Sequence, residues 1–191
     1  MAALNFGTKL PQYVITGKPG SGKSTLFNNI INRLLSNGFT VAGIHSPEVR
    51  SGGVRVGFKI VDLYSGSEAW LAKTGLPSQI KVGKYGVAVD EALNLWRKTL
   101  ESINKADVIG VDEVGPMELS IPGFKKDILE KVILSGKPFI IVIHYRLKDL
   151  DILTALRTAT LITVDQFNRS RLNSYLPLEV VKAIREYYGR H

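Results

Sequence analysis

Residues 14–25 read V-I-T-G-K-P-G-S-G-K-S-T, and Gly17, Gly22, Lys23 and Ser24 stand at the spacing G-x-x-x-x-G-K-[ST]. That spacing suits the phosphates of a nucleoside triphosphate. Glycines let backbone N–H groups turn inward on phosphate oxygens, where a Cβ would obstruct them. Lys18, Pro19, Gly20 and Ser21 fill the loop, and Thr25 carries it into the next element. Lys23 supplies a mobile positive charge near the β- and γ-phosphates, and the Ser24 hydroxyl is the expected ligand of a Mg²⁺ ion. The alternative reading, an ordinary glycine turn before a helix, leaves the lysine and serine without a task.

A second chemical pattern lies at residues 107–113, D-V-I-G-V-D-E, an apolar run ending in two acids. In proteins with a phosphate loop (Walker A), the first acid of such a strand (Walker B) holds Mg²⁺, usually through water, which assigns Asp112 to the metal. Glu113 is then placed to orient and deprotonate a water attacking the γ-phosphate. Phosphoryl transfer needs in-line geometry above all, so positioning counts for more than basicity. Taken alone, the pair could equally be a strand end capped by solvated acids.

Two neighbouring patterns point elsewhere. Residues 104–107 spell N-K-A-D, as in guanine readers, and residues 112–115 spell D-E-V-G, as in γ-phosphate switches. Their order is reversed from that of GTPases, and Asp107 starts the strand that Asp112 ends. Ligands bind at the carboxyl ends of such strands, so Asp107 sits at the wrong edge to read a base. His144 follows the apolar run 139–143 and should reach the same edge as the phosphate loop, either to contact the γ-phosphate or to tie down a loop. Glu48, Arg50 and Arg55 flank a glycine turn; an arginine there could reach transition-state charge, or the group could be a solvated, salt-bridged hairpin.

These residues need elements to hold them. Residues 13–16 are a β-prone run into the loop, and residues 24–36 carry apolar residues at helical spacing (Leu26, Phe27, Ile30, Ile31, Leu34, Leu35). Strand-like segments at 39–45, 108–111, 138–143 and 161–164 alternate with helix-like ones at 90–103, 125–134, 147–156 and 178–188. That order predicts an α/β fold with a mostly parallel central sheet between helices. Val54, Val56, Phe58 and Ile60 alternate with polar residues straight after a strand and a turn, which predicts an added antiparallel hairpin. Residues 64–87 read as irregular, with a short strand over 82–87. No repeat or linker divides the chain, so one domain over residues 1–191 is expected.

The chain has 191 residues, 45% hydrophobic and 22% charged, the profile of a globular protein. It has no cysteine, which removes disulfides, thiolate metal sites and cysteine nucleophiles. No apolar run approaches the roughly 18 residues that span a bilayer, and residues 1–10 lack a leader pattern, so a cytoplasmic monomer with no membrane partner is expected. The net charge of +8 is a footprint that nucleic-acid binders share, but no block of like charges accompanies it and a nucleic-acid partner is not favoured.

Taken together, the motifs resemble a known family, the small nucleoside-triphosphatases first described from thermophiles, which include the cancer-related nucleoside-triphosphatase. The resemblance rests on I-T-G-K-P-G-S-G-K-S-T-L from Ile15 and E-V-R-S-G-G-V-R-V-G-F-K-I from Glu48. It continues with V-G-K-Y-G-V from Val82, V-D-E-V-G-P-M-E-L from Val111 and F-N-R-S-R-L from Phe167. It implies a three-layer, RecA-like P-loop fold and Mg²⁺-dependent hydrolysis of ATP, GTP, CTP and UTP, with loose base selectivity and modest turnover. It also implies that Arg50 and Arg55 belong to the site and that Asn168 and Arg169 form a platform beside the base. The rival readings are a nucleoside or nucleotide kinase on the same scaffold and a nucleotide-gated nucleic-acid-binding module.

Overall fold

The computed structural model describes residues 9–190; residues 1–8, most of the stretch read for a leader, lie outside the described residues. In chain order the elements are β1 (Gln12–Thr16), α1 (Lys23–Ser36), β2 (Val41–His45), β3 (Glu48–Ser51), β4 (Val54–Asp62), β5 (Glu68–Thr74), β6 (Lys81–Val82), β7 (Tyr85–Val87) and α2 (Val89–Ile103). There follow β8 (Val108–Val114), α3 (Phe124–Asp127), β9 (Phe139–Ile143), α4 (Leu150–Ala155), β10 (Thr160–Thr163) and α5 (Arg169–Tyr188). Beyond α3 the backbone widens into π-type turns over Ile128–Ile133.

Among the described residues, ten strands share one sheet in the order β10-β1-β9-β8-β2-β4-β5-β7-β6, with β3 paired to β4 outside that path. The five strands from β10 to β2 run parallel. From β4 onward the pairing is antiparallel. A parallel strand covered on both faces must be apolar throughout, and β9, F-I-I-V-I, is buried at every position. Helices cover both faces. One core gathers Ile44, Ile109, Phe139 and Ile141 with Trp96 of α2 and Phe124 of α3. The other packs Ile15, Val108, Ile140 and Val142 against Phe27 and Ile30 of α1 and Val180 and Ile184 of α5. Each such fully buried side chain contributes about 1.5–3 kcal/mol. The expected three-layer α/β architecture with an added hairpin is the observed one.

Two segments differ from the sequence reading. Residues 64–87 are more ordered than expected, because Glu68–Thr74 forms a full strand whose partner β4 lies within the same sheet. Its alternation is masked by a shift of register between Phe58 and Lys59. The last helix starts at Arg169, nine residues before the expected start at Leu178, and contains Pro177. Proline costs a helix about 3 kcal/mol in isolation. Here Leu172, Leu176, Pro177 and Val180 are all buried against the sheet and α1, and that packing overrides the local preference.

Distant ends of the chain are stapled at the edge of the sheet away from the phosphate loop. Lys137 donates through Nζ to the carbonyls of Ile103, Asn104 and Ala106, at 3.0, 2.9 and 2.6 Å, closing the end of α2. Asp107 accepts from the Thr40 backbone N–H and hydroxyl, both at 2.8 Å, and from Arg190 at 2.7 Å. The aspartate that resembled a guanine reader is therefore a fastener between β2, β8 and the C-terminal helix.

The centre of the sheet is built around two glycines. Gly43 pairs with Gly110 across β2 and β8 and adopts φ +127°, a region closed to most side chains. A Cβ on Gly43 would collide with the Gly110 backbone, and one on Gly110 would press into Leu63, Ile31 and Phe27 at 2.9–3.1 Å. We expect Gly43→Ala to destabilise the fold by about 3 kcal/mol or more, lowering Tm by roughly 6–12 °C in a calorimetric or CD melt. An unchanged Tm would mean that the sheet relaxes around the new methyl group.

Candidate active site

The phosphate loop connects the end of β1 to the start of α1. Its backbone turns on Gly17, Gly20 and Gly22, with φ of +150°, +75° and +104°. Gly17 is required for contact as well as conformation, because any Cβ there would collide with the Val164 carbonyl. Gly22 caps α1, which directs the unpaired N–H groups and positive dipole end of a 14-residue helix at the loop. Ser21 brings a buried hydroxyl that has no hydrogen-bond partner among the described residues.

Lys23 is only 8% exposed, an unusual state for a lysine. Its one ion-pair contact among the described residues is long: Nζ lies 3.8 Å from Glu113 Oε2. A buried ammonium with so loose a partner is poised for a stronger anion.

Both acids reach this loop because β8 is irregular at its end. Asp112 pairs with Val142 and Val114 with Ile143, so Glu113 is an extra residue bulged out of the ladder. Successive residues of a regular strand face opposite ways, and a bulge re-aims the intruding side chain. Asp112 is 4% exposed and lies near the Ser24 side chain. Burial pushes its carboxyl up to about 7; the Glu113 charge adds to this, while Ser24 and Lys23 oppose it. Glu113 is raised as well, chiefly by burial, with Lys23 and His144 pulling it back. His144 lies at the expected edge: its N–H donates to the Val114 carbonyl at 3.0 Å, and its Nδ1 accepts from Arg146 N–H at 3.2 Å.

A third acid joins the group. Glu118 is 5% exposed and accepts a hydrogen bond from Ser46 Oγ at 3.1 Å. A Cβ placed on Gly115 would lie 3.2 Å from Glu118 Oε2 and 3.4 Å from Glu113 Oε1, so both carboxylates border the same small gap. Sequence reading left Glu118 unassigned. Its only signal was an acid between the apolar residues Met117 and Leu119, close behind the acid pair.

Arg50 and Arg55 are committed to the hairpin. Arg50 Nε donates to Glu48 Oε1 at 2.6 Å and its NH1 to the Gly53 carbonyl at 2.9 Å. Arg55 donates to Glu48 Oε2 at 3.2 Å and to the Tyr85 hydroxyl at 3.0 Å, with its guanidinium over the Phe58 ring. The solvated, salt-bridged hairpin is the arrangement present. Arg169 reaches the loop, its side chain 3.7 Å from where a Cβ on Gly22 would lie, whereas Asn168 is held within the turn before it and donates to the Thr163 carbonyl at 2.9 Å.

The oxygen donors of Ser24 and Asp112, near one another at the start of α1 and the end of β8, suit a hard divalent cation that keeps most of its other positions for water and phosphate. No group of three or more His, Cys, Asp or Glu side chains able to cage a metal occurs among the described residues.

A model of the NTPase family matches residues 12–176 of the chain. The chain belongs to this family. Among its members, it is 38% identical to nucleoside-triphosphatase THEP1 of Sulfurisphaera tokodaii over 179 residues, 93% of this chain and 99% of the relative. It is 48% identical to THEP1 of Saccharolobus solfataricus over 130 residues, 68% of this chain and 74% of the relative. Solved structures agree. THEP1 from Aquifex aeolicus superposes with a TM-score of 0.72 at 28% identity, covering 86% of this chain and 96% of that one. A human cancer-related nucleoside triphosphatase gives 0.72 at 29% identity, covering 89% and 97%. The family resemblance read from the motifs and the P-loop fold it implied are thereby established.

Glu118 has a consequence for pH. Its carboxyl is held up to about 8 by burial, against an ordinary value of 4.5. Below about pH 4.5 both folded and unfolded forms are protonated and the site costs nothing. As pH rises toward 8 the unfolded carboxyl ionises first, so stability falls, then levels once both forms are ionised. Thermal melts of the metal-free protein from pH 5 to 9 should show that decline, flattened in Glu118→Gln. Equal slopes in both proteins would assign the decline to other groups.

Proposed function

We propose that the chain is a Mg²⁺-dependent nucleoside-triphosphatase that hydrolyses ATP, GTP, CTP and UTP to diphosphate and phosphate, with loose base selectivity. The observation that carries this is the buried Lys23 held between the phosphate loop and the acid pair, with Glu113 its long-range partner. A triphosphate on the loop gives Lys23 a stronger anion than Glu113, and loop N–H groups donate to the β- and γ-phosphate oxygens.

When bound, Mg²⁺ held by Ser24 and by Asp112 through water would neutralise charge on the β- and γ-phosphates. Displaced from Lys23 by the phosphate, Glu113 is free to align a water in line with the γ-phosphate and take its proton. Its raised affinity for a proton, set mainly by burial, suits that task. An arginine of the β3–β4 hairpin could add charge to this cage only by giving up Glu48, which places Arg50 and Arg55 behind Lys23 in the proposed mechanism. Direct transfer to water fits a site whose acids bracket the γ-phosphate position, and a cytoplasmic monomer is the simplest setting for it.

Phosphate release should be measured over ATP, GTP, CTP and UTP with no added acceptor. Comparable release from all four is the expected result, whereas label transferred to an added nucleoside instead of released would make the enzyme a kinase. Glu113→Gln should keep nucleotide affinity and lose roughly 10²–10⁴-fold in turnover. Wild-type turnover in that variant would remove Glu113 from the role.

A further inference from the structure

Phe167 is 87% exposed, the most open of the large apolar side chains among the described residues. It stands on the turn between β10 and α5, and both ends of that turn rest on the phosphate loop. At one end the Val164 carbonyl packs on Gly17; at the other the Arg169 side chain lies beside Gly22. The turn is tightly held. Asp165 Oδ1 accepts from the N–H groups of Phe167 and Asn168, both at 2.8 Å. Asn168 Oδ1 accepts from Asp165 N–H at 2.9 Å, and Asn168 Nδ2 donates to the Thr163 carbonyl at 2.9 Å.

Two consequences follow for a bound nucleotide. The carboxamide of Asn168 is engaged at both its oxygen and its nitrogen, so the platform expected there is scaffolding for the turn rather than a reader of base edges. The ring beside it is the surface the turn offers. The acid pair fixes the direction of the ligand: β8 lies on one side of β1, beyond β9, whereas β10 lies on the other. A triphosphate whose γ-phosphate meets Glu113 therefore extends its nucleoside toward β10 and the turn after it.

We propose that Phe167 is the stacking platform for the nucleobase, an inference that rests on the nucleoside-triphosphatase reading. Every base has a π-face, so a ring that meets the base by stacking binds all four bases. Loose selectivity is then a property of the ring, whose face discriminates by area alone, while Asp165 Oδ1 and the Asn168 carboxamide are spent inside the turn. Purines, with the larger face, should gain most.

The test compares wild type with Phe167→Ala and Phe167→Trp, using the four nucleotides and, as a base-free competitor, inorganic tripolyphosphate. Phe167→Ala should raise KM for the nucleotides by roughly 5- to 100-fold, more for ATP and GTP than for CTP and UTP. The Ki of tripolyphosphate should stay within about two-fold, and Phe167→Trp should restore KM. Emission from the new indole should be quenched by nucleotides and not by tripolyphosphate, beyond any change in wild type. Unchanged KM in Phe167→Ala, or an equal loss for tripolyphosphate, would overturn the platform. If wild type releases no phosphate from any nucleotide, the hydrolase reading fails by itself, and the quenching of the Phe167→Trp indole still decides whether the ring meets the base.

Discussion

A lysine buried beside two carboxyl groups, with a third close to those two, is the constraint on which the rest of this structure depends. Lys23 cannot solvate its ammonium and has only a loose ion pair with Glu113, while Asp112 and Glu118 are almost fully buried. Without ligand the cluster is costly, because burial disfavours every charge in it. The fold supplies that cost from elsewhere, chiefly the two continuous apolar cores on either side of the parallel strands. What it obtains is a centre whose electrostatics are suited to a bound nucleoside triphosphate.

The added antiparallel strands bear on the same centre from the opposite side. The chain leaves β2 at His45, directly across from Asp112, and Ser46 then hydrogen-bonds Glu118. The hairpin that follows holds its two arginines on Glu48, away from the acids. The extension therefore borders the acid cluster through Ser46 while its own charges are satisfied internally.

Much of this was legible from the chain. The phosphate loop, the acid pair and the alternation of strands and helices all have local signals, because glycine conformation, apolar runs and helical spacing act over a few residues. What escaped reading depends on distant partners. The bulge at Glu113 exists only against β9, the strand at Glu68–Thr74 only against β4, and the passage of α5 through Pro177 only against α1 and the sheet. Glu118 looked like any acid near a strand end, since its hydrogen-bond partner Ser46 lies 72 positions away. Asn168 could be marked as adjacent to the site, but which of its atoms were already occupied is a matter of turn geometry.

The glycine pair at the middle of the sheet carries a further meaning. Because Gly110 has no side chain, Ile31 and Phe27 settle directly onto the strand, and this sets how low α1 rides above β8. The same helix begins with Lys23, and the same strand carries Glu113 one residue before its end. The spacing across which the ammonium and the carboxylate face each other is thus governed by apolar atoms in the interior. Selection for altered turnover has an inconspicuous route here: small changes in the volume of the Ile31–Phe27–Gly110 contact retune the chemistry while every residue that touches the nucleotide is left as it was.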